Sequence, residues 1–140
     1  VWHDWFPARN DNRHKFTISA TRRFSDRFEM YASWNYHTGD RMTVPTQIVG
    51  GQVYYTSPYN YKMADYHRLD IGFNFRKTTK RGNESVWNLS LYNAYCRMNP
   101  MFTMLDHYRT DYKEPAKYET VFKELAVIPI IPSFNYTLRF

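Results

Sequence analysis

Five histidines offer imidazole for metal binding or general-base work: His3 beside Asp4, His14, His37, His67, and His107 beside Asp106. No two of them stand at i, i+2, the spacing that puts two ligands on one face of a strand. They are therefore read as solvated histidines, and no protein metal site is expected. Asp106-His107 has no serine on a nucleophile elbow to serve. No catalytic residue is assigned, no cofactor motif is found, and the chain is not expected to be an enzyme. Lys77–Arg81 is a basic cluster with the composition of a solvated turn, and its charge also suits nucleic acid or anionic lipid headgroups. Tyr54, Tyr55, Tyr59 and Tyr61 crowd one loop, where they could stack on a ligand or pack the loop itself. Cys96 is the one cysteine, so no internal disulfide is possible.

The elements that carry these residues have period two. Phe16, Ile18 and Ala20 alternate with Thr17, Ser19 and Thr21. Phe28, Met30, Ala32, Trp34 and Tyr36 alternate with Glu29, Tyr31, Ser33, Asn35 and His37. Leu69, Ile71, Phe73 and Phe75 oppose Arg68, Asp70, Gly72 and Asn74. Trp87, Leu89 and Leu91 oppose Asn88, Ser90 and Tyr92, and Phe134, Tyr136, Leu138 and Phe140 oppose Asn135, Thr137 and Arg139. The alternation predicts five antiparallel strands near 14–23, 27–37, 66–77, 85–97 and 120–140, the last open to a break at Pro129 and Pro132. Helical periodicity is weak throughout. Lys113–Glu124 has the charge for a short helix, but Pro115 and its scattered apolar positions argue against one. The connections alternate between short turns, Arg23–Asp26 and Lys77–Ser85, and long stretches, Thr38–Tyr66 and the region around Asn99–Tyr118.

Composition narrows the class. The chain has 140 residues, with thirteen Tyr, ten Phe and four Trp against six Leu, six Ile and seven Val. Soluble cores are built mainly from aliphatics. Mean hydropathy is −0.71 although 43% of residues are hydrophobic, so apolar and polar side chains are closely interleaved. No run reaches the roughly 18 apolar residues of a spanning helix, whereas a spanning strand needs only alternation. Large aromatics stand towards the strand ends, with Tyr36, Tyr66, Trp87 and Tyr95 where a membrane girdle would be, and aliphatics lie nearer the middle. Short turns on one side and long loops on the other match an outer-membrane barrel. Single-chain barrels start at about eight strands, so five must pair with strands from elsewhere. The net charge of +6 admits anionic partners. Residue 1 is Val and no signal peptide follows, so a mature piece or a fragment is expected.

Several stretches together resemble the carboxyl-terminal end of TonB-dependent outer-membrane receptors of the Bacteroidetes type. They are Arg22-Arg-Phe-Ser-Asp-Arg-Phe-Glu-Met-Tyr-Ala-Ser-Trp-Asn35, Tyr66-His-Arg-Leu-Asp-Ile-Gly-Phe-Asn-Phe75, Trp87-Asn-Leu-Ser-Leu-Tyr-Asn-Ala-Tyr95, Arg97-Met-Asn-Pro100 and Ile128–Phe140. The resemblance implies an all-β, antiparallel transmembrane β-barrel segment, residues 1–140 supplying about the last five strands of a barrel of about 22. It implies a multi-pass place in the Gram-negative outer membrane and TonB-driven uptake of a scarce nutrient. The implied partners are the remainder of the barrel and its plug, TonB through the plug region that this chain lacks, the barrel-assembly machinery, and lipid or lipopolysaccharide; nucleic acid is not among them. It implies that Phe134, Tyr136, Leu138 and Phe140 form the assembly signal, and that short turns are periplasmic and long loops external. In that setting Tyr54, Tyr55, Tyr59 and Tyr61 belong to a ligand loop or pack over the barrel mouth. The rival readings are a soluble aromatic-rich β-sheet module binding glycan or nucleic acid, and a small structural outer-membrane barrel.

Overall fold

The computed structural model describes residues 4–49, 52–80, 82–111 and 117–140. It contains eleven strands and, among the described residues, no helix. They are β1 (Lys15–Ser25), β2 (Phe28–His37), β3 (Arg41–Met42), β4 (Gln47–Val49), β5 (Gln52–Tyr54), β6 (Tyr61–Lys62), β7 (Tyr66–Thr78), β8 (Glu84–Tyr92), β9 (Phe102–Asp111), β10 (Lys117–Leu125) and β11 (Ile131–Arg139). Every pairing is antiparallel. The chain divides into two units, one of 14–37, 66–98 and 128–140, the other of 1–13, 38–65 and 99–127.

The first unit is a single sheet in the order β1-β2-β7-β8-β11. Its strands are the five expected from the alternation. At one end neighbours are joined by short turns. Ser25 Oγ accepts the Arg27 and Phe28 amides at 3.3 and 3.1 Å, and Thr79 N–H donates to the Asn83 carbonyl at 2.8 Å. Segments 38–65 and 93–130 leave from the opposite end, as the registers His37↔Tyr66 and Ile131↔Tyr92 require. Each strand is long enough to cross the ~25 Å apolar band of an outer membrane at the usual tilt. Within the sheet Tyr31 lies over Gly72, so a Cβ at position 72 would fall inside the tyrosine ring.

Two boundaries differ from expectation. The fourth strand ends at Tyr92 rather than 97, because Asn93 takes φ 55° and turns the chain out of the ladder. Asparagine tolerates this left-handed conformation better than most residues. The stretch 120–140 is two strands, β10 and β11, separated at 126–130. Pro129 falls in the gap. Pro132 lies within β11 opposite Leu91, on an edge strand where a missing donor is tolerated.

The second unit holds three two-stranded ladders, β3 with β6, β4 with β5, and β9 with β10. The β9–β10 hairpin replaces the long loop expected around 99–118. Lys117–Glu124, part of the weak helical candidate, is strand, and 113–116 lie outside the described residues. Met63 is 6% exposed and is the one buried hydrophobic side chain among the described residues. Beside it Gly39 N–H donates to Asp65 Oδ1 at 2.9 Å, and a Cβ on Gly39 would collide with the Met63 carbonyl. Asn60 and Val44 exchange two hydrogen bonds, of 2.9 and 2.8 Å.

Candidate functional site

The strand registers sort the five-stranded sheet into two chemically distinct faces. On the apolar face, Phe28, Phe75, Trp87 and Tyr136 lie side by side at the short-turn end. The Phe28 and Phe75 rings are 4.8 Å apart, and Trp87 meets Tyr136 edge-on at 4.8 Å. At the other end Phe16, Tyr36 and His67 are in register, Trp34 packs on Tyr36, and His67 Nδ1 bonds the Tyr95 hydroxyl at 2.6 Å. Midway between them is a row with no aromatic ring, Ala20, Ala32, Ile71, Leu91 and Pro132. Phe28 and Tyr36 are eight residues apart on β2, about 26 Å along the strand. Among the described residues the unit has no second layer of its own, and no hydrophobic side chain of this face is buried: on the outer strands Ile18 is 64% exposed and Phe134 60%, and those of β2 are half-buried.

One residue of the expected girdle belongs elsewhere. Tyr66 pairs with His37, and the two rings stack at 4.7 Å on the polar face. Its parity is that of Arg68 and Asp70, so the residue type suggested a girdle that the period does not allow.

On the polar face Arg68 is the hub. Its Nε donates to Asp70 Oδ2 at 3.0 Å, Nη2 lies 2.9 Å from the same oxygen, and Nη1 donates to the Tyr66 and Tyr92 hydroxyls. The guanidinium also sits 4.0 Å over the Tyr92 ring. The other Asp70 oxygen accepts the Asn93 amide at 3.0 Å. Asn93 is 1% exposed. Its side chain donates to the Arg97 and Ile128 carbonyls at 2.9 and 3.2 Å and accepts the Arg97 amide at 3.1 Å. This cluster ties the departing end of β8 to the segment that leads into β11. Towards the short turns, Asn88 donates to Asn74 at 2.7 Å and Asn74 to Glu29 at 3.2 Å, while Arg23 and Arg76 each stand 3.8 Å from Glu29. The Arg68 donors are engaged within the sheet, so the cluster braces its polar face.

The anticipated site residues are distributed as follows. Phe134, Tyr136 and Leu138 lie on β11, which pairs with β8 along one side only, and the first two touch Trp87. Phe140 follows the strand and is 96% exposed. The loop tyrosines make different contacts. Tyr54 and Tyr55 are exposed, whereas Tyr59 packs near Phe6 and donates its amide to Thr43 Oγ1 at 3.0 Å. Tyr61 donates its hydroxyl to Glu124 Oε1 at 2.8 Å, which joins segment 38–65 to β10 and raises the phenol above its usual pKa range. Of the histidines, His14 stacks on Phe16, His37 on Tyr66, and His67 meets Tyr95. His3 and the His107 side chain lie outside what is described. Cys96 is an exposed turn residue with φ 54°.

The Arg68–Asp70–Asn93 cluster is absent from the sequence reading. Its signal is Tyr66-x-Arg68-x-Asp70, opposite charges at spacing two and therefore on one face. Asn93 carries no comparable signal. Comparison of the chain with protein-family models, with curated proteins and with solved structures finds no match.

Proposed function

We propose that this chain is a wall segment of an outer-membrane β-barrel, and that the barrel is a TonB-dependent receptor for uptake of a scarce nutrient. The observation that carries the reading is the unburied apolar face, with aromatic rows at both ends and a central row free of aromatic rings. Amphipathic rings favour the two interfaces of a bilayer, and aliphatic side chains favour its middle. The hydrogen-bonded polar face suits a hydrated lumen. β1 and β11 each have one unpaired side, and unpaired backbone groups in lipid require further strands, so the wall closes with the remainder of the parent barrel and encloses its plug. The receptor class rests on the resemblance of the quoted segments.

Cysteine labelling tests the wall. In the full-length parent with Cys96 replaced by serine, single cysteines at 87 to 91 on β8 react with a water-soluble maleimide at even positions and are protected at odd ones. Uniform labelling, or extraction without detergent, would return the chain to the class of soluble sheet modules. Retention of the full-length protein by the purified periplasmic domain of TonB tests the receptor class. A wall that inserts but does not bind TonB belongs to another kind of barrel.

The free side of β11 also suits pairing with the assembly machinery by strand addition. Phe140 stands clear of the sheet, so its loss removes little packing. Phe140→Ser in the full-length protein is expected to lower the amount of heat-modifiable barrel several-fold. The denaturation midpoint of the molecules that do assemble should stay unchanged. Normal assembly would reduce Phe140 to an ordinary rim residue.

A further inference from the structure

Charge is distributed unequally over the short-turn end of the sheet. On the polar face each strand cation there has a carboxylate, Arg23 and Arg76 sharing Glu29 and Arg139 standing 3.6 Å from Glu84, whereas Arg27 of the turn has no ion pair among the described residues. On the apolar face the cations are Arg22 and Lys77, which share the parity of Ile18 and Phe75; Lys77 stands one row outside Phe75, and Arg22, opposite Met30, stands one row inside Phe28 with its guanidinium reaching over Phe24 towards the turn. Neither has a carboxylate partner among the described residues, and the strands place no Asp or Glu on that face. Asp26, in the adjoining turn, is the nearest acidic residue in sequence to Arg22.

The surroundings of these two cations are aromatic. The Arg22 guanidinium lies 5.0 Å over the Phe24 ring, and Phe24 stacks on Phe28. Lys77 borders an open hollow of about 370 Å³ that is otherwise lined by Phe75, Arg76 and Trp87. An unmatched cation beside a wide apolar surface is complementary to an anion that carries hydrocarbon. A soluble anion would satisfy the charge and leave the rings uncovered. A zwitterionic lipid would cover the rings while presenting a cation of its own.

We infer that the short-turn rim of the apolar face is a binding surface for anionic phospholipid, with Arg22 and Lys77 holding headgroup phosphates and Phe24, Phe75 and Trp87 receiving the acyl chains. The inference rests on the reading of this face as lipid-facing and adds to it a choice among lipids. The opposite rim carries histidines and tyrosines on the same face, so selectivity for anionic headgroups belongs to the short-turn leaflet. Juxtamembrane basic residues contribute to such binding individually, and each cation removed should reduce it by about fivefold.

The test uses the full-length parent folded into phosphatidylcholine vesicles containing a minority of phosphatidylglycerol. The retained lipids are then counted by native mass spectrometry. The unaltered protein should retain phosphatidylglycerol above its share, and Arg22→Gln with Lys77→Gln should remove most of that preference. Arg139→Gln, which alters a cation of the polar face, should leave it intact. Preference that survives the double substitution, or equal retention of both lipids from the start, overturns the headgroup site while insertion continues to support the lipid-facing wall. Displacement of phosphatidylglycerol by excess inorganic phosphate would reassign the site to free phosphate. Failure to insert at all overturns both readings.

Discussion

On the proposed barrel-wall reading, arginine at position 71 is expected to cost the folded protein about 2–4 kcal/mol, the penalty for a cation on a lipid face at the bilayer midplane. Ile71 occupies the central row, which has no aromatic ring. It is four residues from Phe75 and four from His67, about 13 Å along β7 from each aromatic row. A long side chain cannot reach either interface without bending away from the sheet. The comparison is Ser33→Arg. Ser33 is next to Ala32 of the central row but on the other face, bonds Ser19 Oγ at 3.0 Å, and stands opposite Asp70. An arginine there is hydrated and close to a carboxylate, so its effect should remain within about 0.5 kcal/mol. Urea-dependent folding of the full-length protein into vesicles measures both. Equal costs at 71 and 33 would remove the distinction between a lipid face and a lumen face. Asp70 is unsuitable as the comparator, because its carboxylate is already committed.

That commitment sets the second large effect. Asp70→Ala strands the Arg68 guanidinium and leaves the Asn93 amide without its acceptor. An unpaired donor of this kind costs about 1–3 kcal/mol, and hydrogen bonds to charged groups lie at the upper end. Arg68 and Asp70 are partly solvated, so about 2–3 kcal/mol is expected for the alanine variant. Asp70→Asn keeps an oxygen for Asn93 and loses the ion pair, and should cost less. Arg68→Met combined with Asp70→Ala should cost less than the two single changes together, because no cation is left stranded. Amide exchange at 93–97 supplies the local readout, with faster exchange in the alanine variant than in the asparagine variant. Identical behaviour of the alanine and asparagine variants would mean that Asn93 holds the turn without Asp70.

The sheet was legible because its five strands keep strict period two, and period two survives any tertiary context that leaves one face apolar. β9 was missed, and β10 was merged into the last strand, for the converse reason. Phe102, Met104 and Phe122 are exposed, and Leu105, Val121 and Leu125 fall between them without a single apolar stripe. A two-stranded ladder with mixed faces has no periodic signature. The end of β8 was misjudged because Tyr95 continues the parity of Leu91, while the left-handed turn at Asn93 has already taken the chain off the ladder. The Arg68–Asp70 pair could have been anticipated from spacing alone. Its link to Asn93 crosses 23 residues of sequence and depends on that same turn.

The overlap of Tyr31 with Gly72 bears on how the chain finds a unique alignment. A slip of one residue between β2 and β7 would exchange the faces and be rejected by the apolar pattern. A slip of two leaves every apolar residue on its original face, so alternation is blind to it. The sequence is degenerate over all even registers as far as hydrophobicity is concerned. Tyr31 breaks that degeneracy. In the observed alignment its ring rests on the one position of β7 that has no side chain, and a two-residue slip in either direction would set it against Asp70 or Asn74. A single tyrosine and glycine thus carry positional information that the rest of the pattern lacks, much as one notch gives a vernier its zero.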